Sequence, residues 1–140
     1  MKLYLLRHGE AAPSEDYPDD YLRPLTDNGR TQIRELAGEL VETGISFDVI
    51  VSSPCVRAYQ TAEIVADALK ERDKMFVDDM LAPGCTLGDI LEILERNRQF
   101  ERILCVGHEP DFGEIAGELL FLDEPRPLRK GEMIEIEIDN

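Results

Sequence analysis

Three short apolar runs constrain this chain more than any other feature, because each ends in a polar cluster and precedes a helix-like repeat. Leu3–Leu6 runs into Arg7-His8-Gly9, Phe47–Val51 into Ser52-Ser53-Pro54, and Ile103–Val106 into Gly107-His108-Glu109. Apolar runs of this length, bounded by turn-forming residues, read as buried strands. After Thr26, a candidate N-cap, Ile33, Leu36, Ala37, Leu40 and Val41 recur at helical spacing up to Gly44, a candidate C-cap. Proline at 54 suits the start of the next helix, where a missing N–H is harmless. That helix carries Ala58, Ala62, Val65 and Leu69 as its apolar stripe.

Further along, Met75–Val77 reads as a weak strand, and Thr86-Leu87-Gly88-Asp89 as a capping box opening a helix with Ile90, Leu91 and Leu94. The helix after His108 carries Phe112, Ile115, Ala116, Leu119 and Leu120. Near the end, Ile134, Ile136 and Ile138 alternate with Glu135 and Glu137, the period of a strand with one wet face at or near a sheet edge. Strands alternating with helices predict an α/β chain: three layers, α/β/α, around a mostly parallel sheet. A length of 140 residues suits a single domain, 1–140. Residues 11–25 hold three prolines and the acidic cluster Asp16, Asp19, Asp20, and read as a long functional loop.

Charge narrows the function classes. With 30 acidic against 15 basic residues the net charge is −15, a surface that repels nucleic acid. No apolar stretch is long enough to span a membrane, and the N-terminus lacks a secretory signal pattern. Cys55, Cys85 and Cys105 are widely spaced and only two histidines are present, which speaks against a zinc site. These features predict a cytoplasmic monomer without metal or cofactor.

In parallel α/β sheets ligands bind beyond the carboxyl ends of the strands. Arg7 and His8 close the first strand, Arg57 opens the helix after the second, and His108 follows the strand at 103–106. The set predicts a phosphate-handling site. Two guanidiniums hold phosphate oxygens through charge-assisted hydrogen bonds. A neutral imidazole is a competent nucleophile at phosphorus. A second histidine donates to the transferring phosphoryl group. Gly9 is expected to let the backbone turn close to the phosphate.

The segments LRHGE (6–10), SSPCVRAYQTAE (52–63) and VGHEPD (106–111) resemble the histidine phosphatase superfamily, also called phosphoglycerate mutase-like. The short chain, RPLTDNGR (23–30), LAPG (81–84) and the RKGEMIEIEI ending resemble its SixA-type phosphohistidine phosphatase branch. The resemblance implies a phosphoglycerate mutase-like fold, with His8 as the phosphorylated nucleophile. It makes Arg7 and Arg57 the phosphate clamp, His108 the second pocket histidine and Arg23 a residue of the pocket rim. No metal is implied for the phosphoryl step. Glutamate-bearing acid segments of related mutases have no obvious counterpart here. Glu10, Asp79 and Glu109 remain as candidate acids. The expected substrate is a phosphohistidine-bearing protein. The alternatives are a small phosphate ester (sugar phosphate, nucleotide or phosphoglycerate type) selected through Tyr17, Tyr21 and Arg23, or a phospho-binding adaptor with little catalysis.

Overall fold

In a computed structural model describing residues 1–139, the strand-like runs form one five-stranded sheet. The strands are β1 (Lys2–Arg7), β2 (Val49–Ser52), β3 (Met75–Val77), β4 (Arg102–Gly107) and β5 (Met133–Glu137), ordered β3-β2-β4-β1-β5. All pairings are parallel except that of β5, which lies antiparallel on β1 at the sheet edge. The helices are α1 (Asp27–Thr43), α2 (Val56–Ala68), α3 (Leu87–Arg96) and α4 (Asp111–Leu119).

Alternation along the central strands divides the core in two. Leu3, Leu5, Val49, Val51, Ile103 and Cys105 pack with Ile90 and Ile93 of α3 and Phe112 and Ile115 of α4. Tyr4, Leu6, Ile50, Leu104 and Val106 face α1 and α2, through Ile33, Leu40, Ala58, Ala62 and Val65. The predicted three-layer arrangement is therefore present. Ile136 is buried on the α3/α4 side, while Glu135 on the opposite face accepts a hydrogen bond from the Tyr4 hydroxyl (2.6 Å).

Local signals placed most ends. Thr26 Oγ1 accepts from Gly29 N at 2.9 Å, Gly44 closes α1 at φ 74°, and Thr86 and Asp89 form the reciprocal capping box. Helical faces were less legible. Val41, Leu91 and Leu120 are exposed, and α3 buries Ile90, Ile93 and Leu94. Pro54 precedes the N-cap, Cys55, rather than occupying the first turn. Loop 11–25 contains 3₁₀ turns at Ser14–Asp16 and Asp20–Leu22, and is closed at its base by an Ala11–Leu25 bridge.

Candidate active site

At the carboxyl edge of β1, β2 and β4 the chain leaves a pocket of about 270 Å³. It is lined by Arg7, His8, Arg57 and His108, by Asp20 and Arg23 from loop 11–25, and by Glu109 and Lys130 among others. Parallel registry accounts for the convergence. Arg7 pairs with Gly107 and Ser52 with Val106, so the residues after all three strands emerge side by side. Backbone bonds fix them there: His8 N donates to Gly107 O (3.2 Å), and Gly131 N to both Arg7 O (3.0 Å) and His8 O (3.1 Å).

The protonation of His8 follows from its neighbours. Nδ1 lies 2.7 Å from Gly9 O, and a carbonyl only accepts, so Nδ1 carries the proton. The Nε2 lone pair is thereby directed to the other edge of the ring, where it receives Arg57 Nε–H at 3.3 Å. Burial, reinforced by the Arg57 and Arg7 guanidiniums, pushes this imidazole down to about 4. His108, whose ring centre is 5.2 Å from that of His8, is pushed down to about 3 by burial and by its neighbours His8 and Arg57. Both rings are neutral at pH 7, the form in which a histidine attacks phosphorus.

His108 Nε2 is 2.7 Å from Ser53 Oγ, which also accepts from Cys55 N at 3.2 Å. Ser53 is fully buried. Its hydroxyl hydrogen is satisfied if it donates to Nε2, which leaves Nδ1–H as the donor of the His108 ring. Thr61, also fully buried, accepts from Gly9 N (3.2 Å) and donates to Arg57 O (2.8 Å), tying the turn after His8 to α2.

Electrostatically the pocket inverts the acidic molecule around it. Arg7, Arg23, Arg57 and Lys130 all line it. The Nε donors of Arg7 and Arg23 are buried without a partner, an unfavourable state that a bound anion would relieve. Arg57 is engaged from within the chain: NH1 donates to Asp20 O (2.8 Å) and NH2 to Asp20 Oδ2 (2.9 Å). Asp20 Oδ1 lies 3.3 Å from Arg23 NH1. Among the described residues no cluster of three or more His, Cys, Asp or Glu is arranged to hold a metal.

The remaining sequence candidates separate. Gly9 does not line the pocket, and its tight neighbours belong to α1. A Cβ there would meet Ile33 Cγ1 at 3.0 Å and Gly29 O at 3.1 Å, so close packing against that helix favours glycine at this position. Glu10 accepts from Thr26 Oγ1 (2.7 Å) and Asn28 Nδ2 (3.2 Å), bonds that hold its carboxyl below the usual range. It belongs to the start of α1, outside the pocket lining. Asp79 lies exposed in a 3₁₀ turn, also outside the lining. Glu109 lines the pocket with Oε1 buried and unpartnered, and burial raises its carboxyl pKa. Asp20, Ser53, Thr61 and Lys130 were not singled out from sequence. Ser53 and Thr61 stood inside a quoted motif, and Asp20 was one of three equivalent acids in its cluster.

Residues 3–82 match the family model described as histidine phosphatase superfamily (branch 1). An uncharacterised protein of Picosynechococcus is 43% identical over 124 residues, covering 86% of this chain and 74% of its own. Phosphohistidine phosphatase SixA of Escherichia coli is 29% identical over 141 residues, covering 99% and 86%. A solved structure of the protein histidine phosphatase SixA complexed with tungstate superposes with a TM-score of 0.88 at 29% identity, over 99% of this chain and 89% of that one. Fold, pocket and motifs agree with that kinship, and the chain belongs to the histidine phosphatase superfamily.

Proposed function

We propose that the protein hydrolyses phosphohistidine on a protein substrate, with His8 as the transient phosphoryl carrier. The observation that carries this reading is the state of His8: a neutral ring, proton held on Nδ1 by Gly9 O, lone pair on Nε2 against Arg57. A phosphoryl group seated on Arg7, Arg57 and Arg23 would meet that lone pair, with His108 Nδ1–H available to its equatorial oxygens. His8 Nε2 then forms a bond to phosphorus as the substrate's P–N bond breaks, and the bonding pair stays on the substrate nitrogen. Water afterwards attacks the phosphorus of phospho-His8, releasing phosphate and returning the ring with its Nδ1 proton.

Support for phosphohistidine comes from the SixA likeness over nearly the whole chain and from leaving-group chemistry. Imidazole, whose conjugate acid has a pKa of about 6.5, departs without the strong acid an alkoxide demands. Asp20, committed to two guanidiniums, is an acceptor rather than a proton donor. A small phosphomonoester is the second reading, favoured by Glu109, a pocket-lining residue whose carboxyl pKa is raised by burial, as a general acid needs.

The test is rapid-quench trapping with a histidine peptide phosphorylated by phosphoramidate. Wild type should accumulate an acid-labile phosphoenzyme and His8→Ala none, with turnover down by about 10³-fold or more. Full turnover by His8→Ala would end the mechanism. Wild type that turns over alkyl phosphates far faster than the phosphopeptide, with Glu109→Gln abolishing that activity, would establish the second reading.

A further inference from the structure

Among the described residues, Asp20 is the one carboxylate paired with Arg57 and Arg23. Its side chain is half-exposed, yet it bridges Arg57 (2.9 Å) and Arg23 (3.3 Å), and its own carbonyl takes Arg57 NH1. The Arg57 head therefore has His8 Nε2 at its Nε end and the Asp20 carboxylate at its NH2 end. A phosphoryl group lying along that guanidinium sits between the nucleophile and Asp20. Arg57 is buried and needs an anionic partner, whereas the solvent-facing Asp20 carboxylate can be displaced. A dianionic phosphoryl group can take the guanidiniums from it.

A second feature concerns the transfer itself, if the substrate is phosphohistidine. The exchange is then nearly symmetric, because one imidazole hands the phosphoryl group to another. The substrate ring must carry a proton on its distal nitrogen to leave as neutral imidazole. His8 carries its own distal proton throughout, and Gly9 O holds it. The equivalent N–H on the substrate ring needs an acceptor on the far side of the phosphoryl group. Asp20 is the pocket carboxylate at that end of Arg57.

We propose that Asp20 is the substrate-selecting residue of this site: it yields Arg57 and Arg23 to the phosphoryl oxygens and then accepts the distal N–H of the substrate's phosphoimidazole. The inference rests on the phosphohistidine reading. In the balanced step the substrate enters as a phosphoimidazolium, its distal N–H on Asp20. The His8–P bond forms, the P–N bond breaks with its electron pair kept by the substrate nitrogen, and neutral imidazole departs with the proton it brought. The same carboxylate disfavours small esters. It competes for the clamp, and an alkoxide leaving group has no N–H to offer it.

Asp20→Ala and Asp20→Asn in the full chain test this with three probes: tungstate as inhibitor, p-nitrophenyl phosphate, and the phosphoramidate-treated histidine peptide. Nitrophenolate needs neither acid nor N–H acceptor, so the aryl ester reads the clamp alone. In Asp20→Ala the tungstate inhibition constant should fall at least threefold and aryl kcat/KM rise, since the clamp loses its competitor. Phosphopeptide kcat should drop about tenfold or more, with its optimum moved to lower pH, where the substrate ring protonates unaided. Asp20→Asn, which still offers an amide oxygen, should recover part of that loss. Tight tungstate binding certifies that the variants are folded. An unchanged ratio of phosphopeptide to aryl turnover in a wild type that prefers the phosphopeptide overturns the role of Asp20 alone. A wild type with no such preference overturns the phosphohistidine reading, and this inference with it.

Discussion

Two different contacts favour the same Nδ1–H tautomer in both histidines: Gly9 O accepts from the ring of His8, and the buried Ser53 hydroxyl, 2.7 Å from Nε2 of His108, is satisfied by donating to it. Since the chain has only two histidines, long-range ¹⁵N–¹H spectra read both rings without ambiguity. Both should appear neutral at pH 7 and remain so as pH falls through 6.5, where an ordinary histidine is half protonated, titrating only near 4 and 3. The sign follows from burial and neighbouring guanidiniums, which disfavour the charged ring and so lower both values. Ser53→Ala should shift the tautomer of His108, leave that of His8, and reduce kcat about tenfold. An Nε2–H tautomer for His108 in the wild type would refute the role given to Ser53. The four residues at strand ends were legible from sequence because parallel strands deliver their carboxyl ends to one edge. Asp20 was not, since Asp16, Asp19 and Asp20 are chemically alike and only the folded loop brings one of them to Arg57.

At the scale of elements, the turn after β1 and the start of α1 form a single unit. Thr26 N donates to Glu10 O (3.0 Å), and Thr26 Oγ1 joins the Glu10 carboxylate while capping Gly29 N. Gly29 sits so close that a Cβ would lie 2.2 Å from Glu10 O and 3.0 Å from Glu10 N. Backbone on both sides leaves nothing flexible to yield. Gly38, on the exposed face of the same helix, would meet nothing within 4 Å. Two identical substitutions in α1 should therefore act with opposite sign. Gly38→Ala should stabilise by about 1 kcal/mol through helix propensity. Gly29→Ala should destabilise by about 1–3 kcal/mol through overpacking, and lower turnover by displacing Glu10 and with it the His8 turn. Urea midpoints for both variants decide the point, and a stabilised Gly29→Ala would sever the link between α1 and the His8 turn. Caps such as Thr26, Gly44 and Thr86 were readable because their chemistry spans three or four residues. The face of α3 obeys the same local logic, since Ile90, Ile93 and Leu94 stand at i, i+3, i+4 and Leu91 falls off that face.

Across the whole molecule, all but two of the thirty acidic residues lie outside a pocket whose lining includes Arg7, Arg23, Arg57 and Lys130. The two fields act over different ranges. At 0.01 M salt the screening length is about 30 Å, and an approaching partner feels the net charge of −15. At 0.15 M it shrinks to about 8 Å, and a phosphoryl group at the pocket mouth feels chiefly the nearby guanidiniums. Composition alone displayed the outer field; of the inner one, Arg7, Arg57 and Arg23 were anticipated from their motifs, and only Lys130 required the fold. For an acidic phosphoprotein substrate, kcat/KM should therefore rise between 0.01 and 0.15 M salt as long-range repulsion is screened. For small phosphate or tungstate ions, which reach the clamp itself, affinity should fall over the same interval as ions compete for the arginines. Stopped-flow measurement of phosphoenzyme formation with an acidic and a basic phosphohistidine protein separates the contributions. The acidic substrate should accelerate with salt and the basic one slow. If both slow alike, the pocket cations govern the approach at every distance and the acidic exterior takes no part in choosing the partner.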